Sequence, residues 1–139
     1  MNHTNFEFKF LKVPILTVAT VLIVGFIPIQ QTVEWKAPKE ADALKNPYKG
    51  GSEDIKAGKK IFANMCTICH GDKGRGDGVA GAALNPKPTN LTTKTFNDQS
   101  DGAIFWKITE GRAPMASYKA TLSEENRWQL VNYLRTLKK

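Results

Sequence analysis

The sequence predicts an all-α protein: one membrane-spanning helix, then a small domain of three main helices joined by long loops. Three observations carry that prediction. Residues 13–29 form an apolar run without a charge. Three later segments repeat apolar residues at helical spacing between polar caps. The stretches between them are rich in Gly, Pro, Asn and Thr, with little periodicity. Of the 139 residues, about 100 lie outside the apolar run and its flanks, which suits one domain with one core.

The run Val13 to Ile29, VPILTVATVLIVGFIPI, has 17 residues and at helical rise spans roughly 25 Å. Phe10 and Leu11 lengthen it, and Lys12 reaches back to the interface. The competing reading is a cleaved secretory signal, which needs small residues just after the apolar core. That place reads PIQQTVEW, and the one A-x-A, at Ala41 to Ala43, comes late and carries Asp42. An uncleaved anchor is therefore expected. Lys9 and Lys12 outweigh Glu7 before the run, which puts the N-terminus in the cytoplasm and the domain outside it. In a bacterium that means the inner membrane and the periplasm. Trp35 is placed for the far interface.

The expected organisation is residues 1–30 as cytoplasmic N-terminus and anchor, 31–51 as linker and 52–139 as the domain. The linker assignment rests on KAPKEADALKNPYKGGSED, which mixes charge, two prolines and a Gly-Gly pair without an apolar period. In the domain, Ser52 is the expected cap of a first helix whose opening turn holds Glu53 and Asp54. Ile55, Ile61, Phe62 and Met65 follow at helical spacing, with Gly58 on the same side so that another helix comes close. Residues 71–97 read as loop with about one turn of helix. SDGAIFWKITEG then reads as a helix capped by Ser100 or Asp98 and stopped by Gly111. Ser123 opens the last helix, with acids in its first turn, lysines in its last, and Trp128, Leu130, Val131, Tyr133, Leu134 and Leu137 as its apolar face.

Lys plus Arg exceed Asp plus Glu by seven, and all of that excess falls after residue 35. Such a field steers acidic partners. The lysines are spread singly, with no helix-turn-helix or finger pattern, so no nucleic-acid role is expected. Three helices and long loops make a poor core for so few residues, so something else must fill the middle.

Both cysteines of the chain, and one of its two histidines, fall within NMCTICHGDKG. Zinc needs four ligands, usually from two pairs, and Cys66, Cys69 and His70 give three. A thioredoxin-like dithiol follows a strand, whereas a helix leads in here. The remaining use of C-x-x-C-H is covalent haem attachment: two thiols bond the porphyrin edge, and the next residue turns its imidazole to the iron. The glycines of GDKGRGDG lack both the register of a phosphate loop and a strand before it.

With CTICH after a helix bearing Gly58 and Phe62, HGDKGRGDGVAGAALNPKPTNLT, a methionine loop and the closing LVNYLRTL, the sequence resembles a class I cytochrome c from Ser52 to Leu137. The resemblance implies the cytochrome c fold, in which the first and last helices cross. Gly58 and Phe62 would then meet Leu130 and Tyr133. It implies one haem c bound through Cys66 and Cys69, with His70 and Met115 as axial ligands. His3 and Met1 precede the anchor, and Met65 abuts Cys66, which leaves Met115 in EGRAPMASY for the sixth position. Family members often have proline directly after that methionine, whereas here Pro114 precedes it and Ala116 follows. A proline carbonyl commonly holds the other nitrogen of the histidine, so Pro86 or Pro88 is expected there, with Pro88 preferred. Trp106, Tyr118 and Trp128 are expected as core, with haem contact as the alternative.

The implied function is single-electron transfer outside the cytoplasm between respiratory-chain partners with acidic docking surfaces. No small-molecule substrate and no enzymatic activity of its own are expected. Lys73, Arg75, Lys87 and Arg112 are the candidate docking residues. The alternatives are a fixed haem subunit of a larger respiratory or denitrifying complex, and a haem sensor or peroxidase with a labile sixth ligand.

Overall fold

The computed structural model describes residues 34–48 and 50–138. The apolar run, and with it the expected anchor, lies outside them; among the described residues no helix is long and apolar enough to cross a membrane. Five α-helices occur among the described residues: α1 (Ser52–Met65), α2 (Thr67–His70), α3 (Lys94–Asn97), α4 (Asp101–Glu110) and α5 (Glu124–Arg135), with 3-10 turns at Lys39–Ala43 and Gly81–Ala83. No strand occurs among the described residues; Arg112 and Met115 form one isolated bridge. The three main helices expected from periodicity are α1, α4 and α5.

Their ends follow the local chemistry. The Ser100 hydroxyl accepts from the Ala103 N–H at 3.0 Å and the Ser123 hydroxyl from the Asn126 N–H at 3.1 Å. Gly111, at φ 66°, stops α4. Ser52 is instead the first residue of α1, and Gly51 occupies the cap without a side-chain bond.

Helices α1 and α5 cross face to face at Gly58. A Cβ there would overlap the Gln129 carbonyl, lying 2.6 Å from its carbon and 2.9 Å from the Tyr133 Cβ. One turn on, Phe62 meets the Tyr133 ring at a centroid distance of 5.3 Å. Helix α4 lies against α5 through Phe105, stacked on Trp128 at 4.0 Å. Arg135 closes the far end: its Nε donates to Asp101 at 2.7 Å, and its two terminal nitrogens donate to the Asn97 and Gln99 carbonyls at 2.9 and 2.6 Å. Phe62, Ile104, Trp128 and Val131 centre the core.

Residues 34–48, within the expected linker, pack on the helical domain. Ala41 is 3% exposed, seated where Gly102 of α4 has no side chain; a Cβ there would overlap the Ala41 carbonyl and come within 3.0 Å of the Leu44 Cβ. Asp42 accepts from the Ser100 hydroxyl. The Asn46 amide donates to Asn132 of α5 at 2.7 Å. Trp35, expected at a membrane interface, lies 6.5 Å from Trp106. A segment without an apolar period docks because the partner supplies the notch. Gly102→Ala is therefore expected to release it: proteolysis within 34–48 should speed up on the order of tenfold, with helical circular dichroism as in the parent.

Candidate functional site

The C-x-x-C-H turn is continuous with α1. The Thr67 hydroxyl donates to the Ala63 carbonyl at 2.9 Å, and the His70 N–H to the Cys66 carbonyl at 2.8 Å. This helical winding sets Cys66 and Cys69, three residues apart, on one side of the turn. Both thiols are free and half-buried. Gly71, at φ 74°, ends the turn. The chain then folds back so that the Gly76 and Gly78 amides donate to the His70 and Cys69 carbonyls at 2.8 and 3.2 Å. Those glycines thus clasp the cysteine–histidine turn, which is their structural use.

Two rival chemistries fit poorly. Among the described residues, no three His, Cys, Asp or Glu side chains group as a metal site, so a closed zinc site lacks ligands. The Cys66 thiol is pushed up to about 12 by burial and then by the neighbouring Cys69 thiol. A redox-active dithiol needs the opposite displacement.

The His70 ring is held at one nitrogen: Nδ1 lies 3.3 Å from the Thr89 carbonyl oxygen, so Nε2 is the nitrogen that would serve a metal. Burial lowers its pKa, with the Thr89 bond opposing, so the ring is kept neutral. The acceptor falls one residue past the expected Pro88. The Pro88 carbonyl is turned against Gly76, which lacks the side chain that would collide with it. Pro86 is exposed.

Met115 sits half-buried against the same core cluster as Cys66 and Tyr118. Its amide donates to the Arg112 carbonyl at 2.8 Å and its carbonyl accepts from the Arg112 amide at 3.0 Å. The chain beyond is tied back to α4: the Ser117 hydroxyl donates to the Thr109 carbonyl at 2.6 Å and the Tyr118 amide to the Ile108 carbonyl at 3.1 Å. The Tyr118 hydroxyl donates to the Met65 carbonyl at 3.2 Å, joining the methionine loop to the residue before Cys66. Burial raises the Tyr118 pKa, with the two thiols adding to it, so it stays a donor. Buried Arg127 donates to the Lys119 carbonyl at 3.2 Å. These bonds hold a loop that lacks the customary proline after its methionine.

Two free thiols on one turn, an imidazole with one nitrogen held by a carbonyl, and a thioether on the same apolar core form a donor set that fits haem c. Sequence reasoning missed Thr89, because a backbone carbonyl has no residue signature, and the tie from Tyr118 to Met65, which spans 53 positions.

Residues 53–134 match the family described as cytochrome c oxidase, cbb3-type, subunit III. The chain is 44% identical over 61 residues to the cbb3-type cytochrome c oxidase subunit FixP of Bradyrhizobium sp. (strain ORS 278), covering 43% of this chain and 19% of FixP. The chain thus spans about a fifth of that relative's length. It is 27% identical over 81 residues to cytochrome c6 of Limnospira maxima, covering 58% of this chain and 90% of that protein. Among solved structures it resembles a chain of the Kuenenia stuttgartiensis reducing HAO-like protein complex, with TM-score 0.60 and 32% identity over 67% of this chain and 47% of that one. It also resembles the KustC0563 c-type cytochrome, with TM-score 0.51 and 27% identity over 59% of this chain and 98% of that one. A matched span covering more than half of the chain, and taking in the C-x-x-C-H turn, Met115 and the α1–α5 crossing, makes this chain a member of the cbb3-type cytochrome c oxidase subunit III family.

Proposed function

We propose that this protein is a membrane-anchored monohaem cytochrome c that passes single electrons between respiratory partners on the periplasmic side of a bacterial inner membrane. The observation that carries the reading is the pairing of a carbonyl-held His70 with a bridged, core-packed Met115. Cys66 and Cys69 would hold the haem and His70 and Met115 would bind its iron; the group would then supply a one-electron couple, with no place left for substrate or oxygen. The chain's own part is to orient His70 through Thr89, to hold the Met115 sulfur, and to keep the surroundings apolar and dry. Soft sulfur favours the ferrous state. The single C-x-x-C-H supports one haem, and the uncharged run at 13–29 supports the anchor.

The partners proposed are the membrane and redox proteins with acidic docking surfaces. Lys73, Arg75 and Lys87 are exposed. Ile68 and Val79 are 54% and 80% exposed beside Lys73 and Arg75 on one surface groove, which Asp72 and Asp77 also line. That mix of apolar contact and mobile charge suits a transient complex. Association with an acidic partner is expected to slow about tenfold between low and physiological ionic strength. Lys73→Glu with Arg75→Glu should flatten that dependence in stopped-flow measurements.

A fixed haem subunit is the second reading, and the similarity to FixP favours it. Residues 34–48 dock on the domain, which also shortens any flexible tether. Co-purification with other subunits in mild detergent distinguishes the two. The reading itself is tested by spectra of the solubilised protein, oxidised, reduced, and reduced under carbon monoxide. Sharp reduced bands, a weak far-red ferric band and no carbon monoxide shift are expected. A clear shift without the far-red band would replace this reading with a sensor or peroxidase.

A further inference from the structure

We infer that residues 34–48 clamp the methionine turn, with Trp35 as a positioning residue that acts on Met115 through Arg112. The inference rests on Met115 being the sixth ligand.

Both backbone bonds of the bridge at Met115 are made with Arg112, so displacing Arg112 displaces Met115. Arg112, Ala113, Pro114, Ala116 and Ser117 are all exposed, and the ties from Ser117 and Tyr118 to α4 lie on the far side of Met115. The Arg112 guanidinium carbon lies 5.2 Å from the Trp35 ring centroid. The Lys107 Nζ lies 5.5 Å from the same centroid, and Trp106 packs against that indole at 6.5 Å. One indole therefore gathers two cations.

Those cations repel each other. Burial lowers the Lys107 pKa and Arg112 lowers it further, while the Glu34 carboxylate opposes both. The Trp35 ring, which both cations face, and Glu34, whose carboxylate acts on Lys107, both come from the docked segment. Lys107 is on α4 and donates to Gln99, whereas Arg112 is on an exposed loop. Loss of the indole therefore takes a contact from the loop that carries Met115. Trp35 is itself held by a segment fixed at three places along α4 and α5: Ala41 at Gly102, Asp42 at Ser100, and Asn46 at Asn132. The segment thus does for the turn what a proline after the methionine would do.

The test uses the full haem-loaded chain in detergent and reads the far-red ferric band and the affinity of ferric iron for imidazole, a competitor of the Met115 sulfur. In Trp35→Ala, imidazole is expected to bind about tenfold tighter with a weakened far-red band, and Trp35→Phe should restore most of the parental behaviour. Arg112→Gln, a surface change that leaves the fold intact, should act in the same direction. The double variant should exceed the larger single effect by no more than about twofold, since both act on one contact. Gly102→Ala, which frees the segment from its other end, should also tighten imidazole binding. Parental affinity in Trp35→Ala and Arg112→Gln, or additive effects in the double variant, would overturn the clamp while leaving the ligation in place. A parent that lacks the far-red band and binds carbon monoxide would overturn the ligation itself, and the clamp with it.

Discussion

Replacing Met115 with alanine is expected to abolish the far-red ferric band, open the reduced iron to carbon monoxide and lower the midpoint potential by a few tenths of a volt, on the order set by axial-ligand exchange. The thioether is the one soft donor on the turn that Arg112 bridges, and nothing else in EGRAPMASY replaces it. Folding should survive. Met115 is half-buried, so truncation costs about 1–2 kcal/mol, below the range for a fully buried methionine. Met115→His should lower the potential comparably while keeping carbon monoxide out, which separates loss of sulfur from loss of a ligand. Potentiometric titration with spectra at each potential is the measurement. An unchanged band and potential in Met115→Ala would remove the sulfur from the iron.

Gly58→Val is expected to cost about 3 kcal/mol or more and to lower the melting temperature by roughly 12–20 °C for a domain of this size. The colliding group is the Gln129 backbone carbonyl, which cannot swing aside as a side-chain end would, and the Tyr133 Cβ stands 2.9 Å away. The helices must separate, and the Phe62–Tyr133 contact opens with them. Gly58→Ala is the sharper comparison. Helix propensity alone favours it by about 1 kcal/mol, so a net loss in that variant isolates the crossing. Ser52→Ala, on the same helix but without a capping bond, should melt close to the parent. Thermal melting of the haem-loaded protein decides it. A parental melting point in Gly58→Val would show that close approach is not what seats α1 on α5.

The helices were legible in the residues because their signals are local. Ser100 and Ser123 bond amides three residues on, and Gly111 stops α4 through its own backbone angle. The close approach of another helix was legible too, because Gly58 and Phe62 mark one face of a periodic run; that the partner is the last helix came from the family resemblance. Pro88 went astray by one position. The rule that an acceptor holds the histidine is general, but which carbonyl serves depends on how the chain passes Gly76. The glycines of GDKGRGDG were legible only as no phosphate loop, and their partners, the Cys69 and His70 carbonyls, were not legible at all.

By itself the sequence determined the donor set: two thiols and an imidazole on one turn, a methionine in a loop between two helices, and capped amphipathic helices to carry them. These are properties of side-chain identity at short separations. Only the tertiary structure decided how that chemistry is held. Thr89 on His70, Arg112 paired with Met115, Tyr118 on Met65 and the 34–48 segment across α4 are contacts through backbone atoms or through partners far along the chain. Every residue carries the same amide and carbonyl, so such contacts leave no mark on composition or period. Ala41 is the sole buried residue among the described residues 34–48, and it is buried only because a glycine stands 61 positions later.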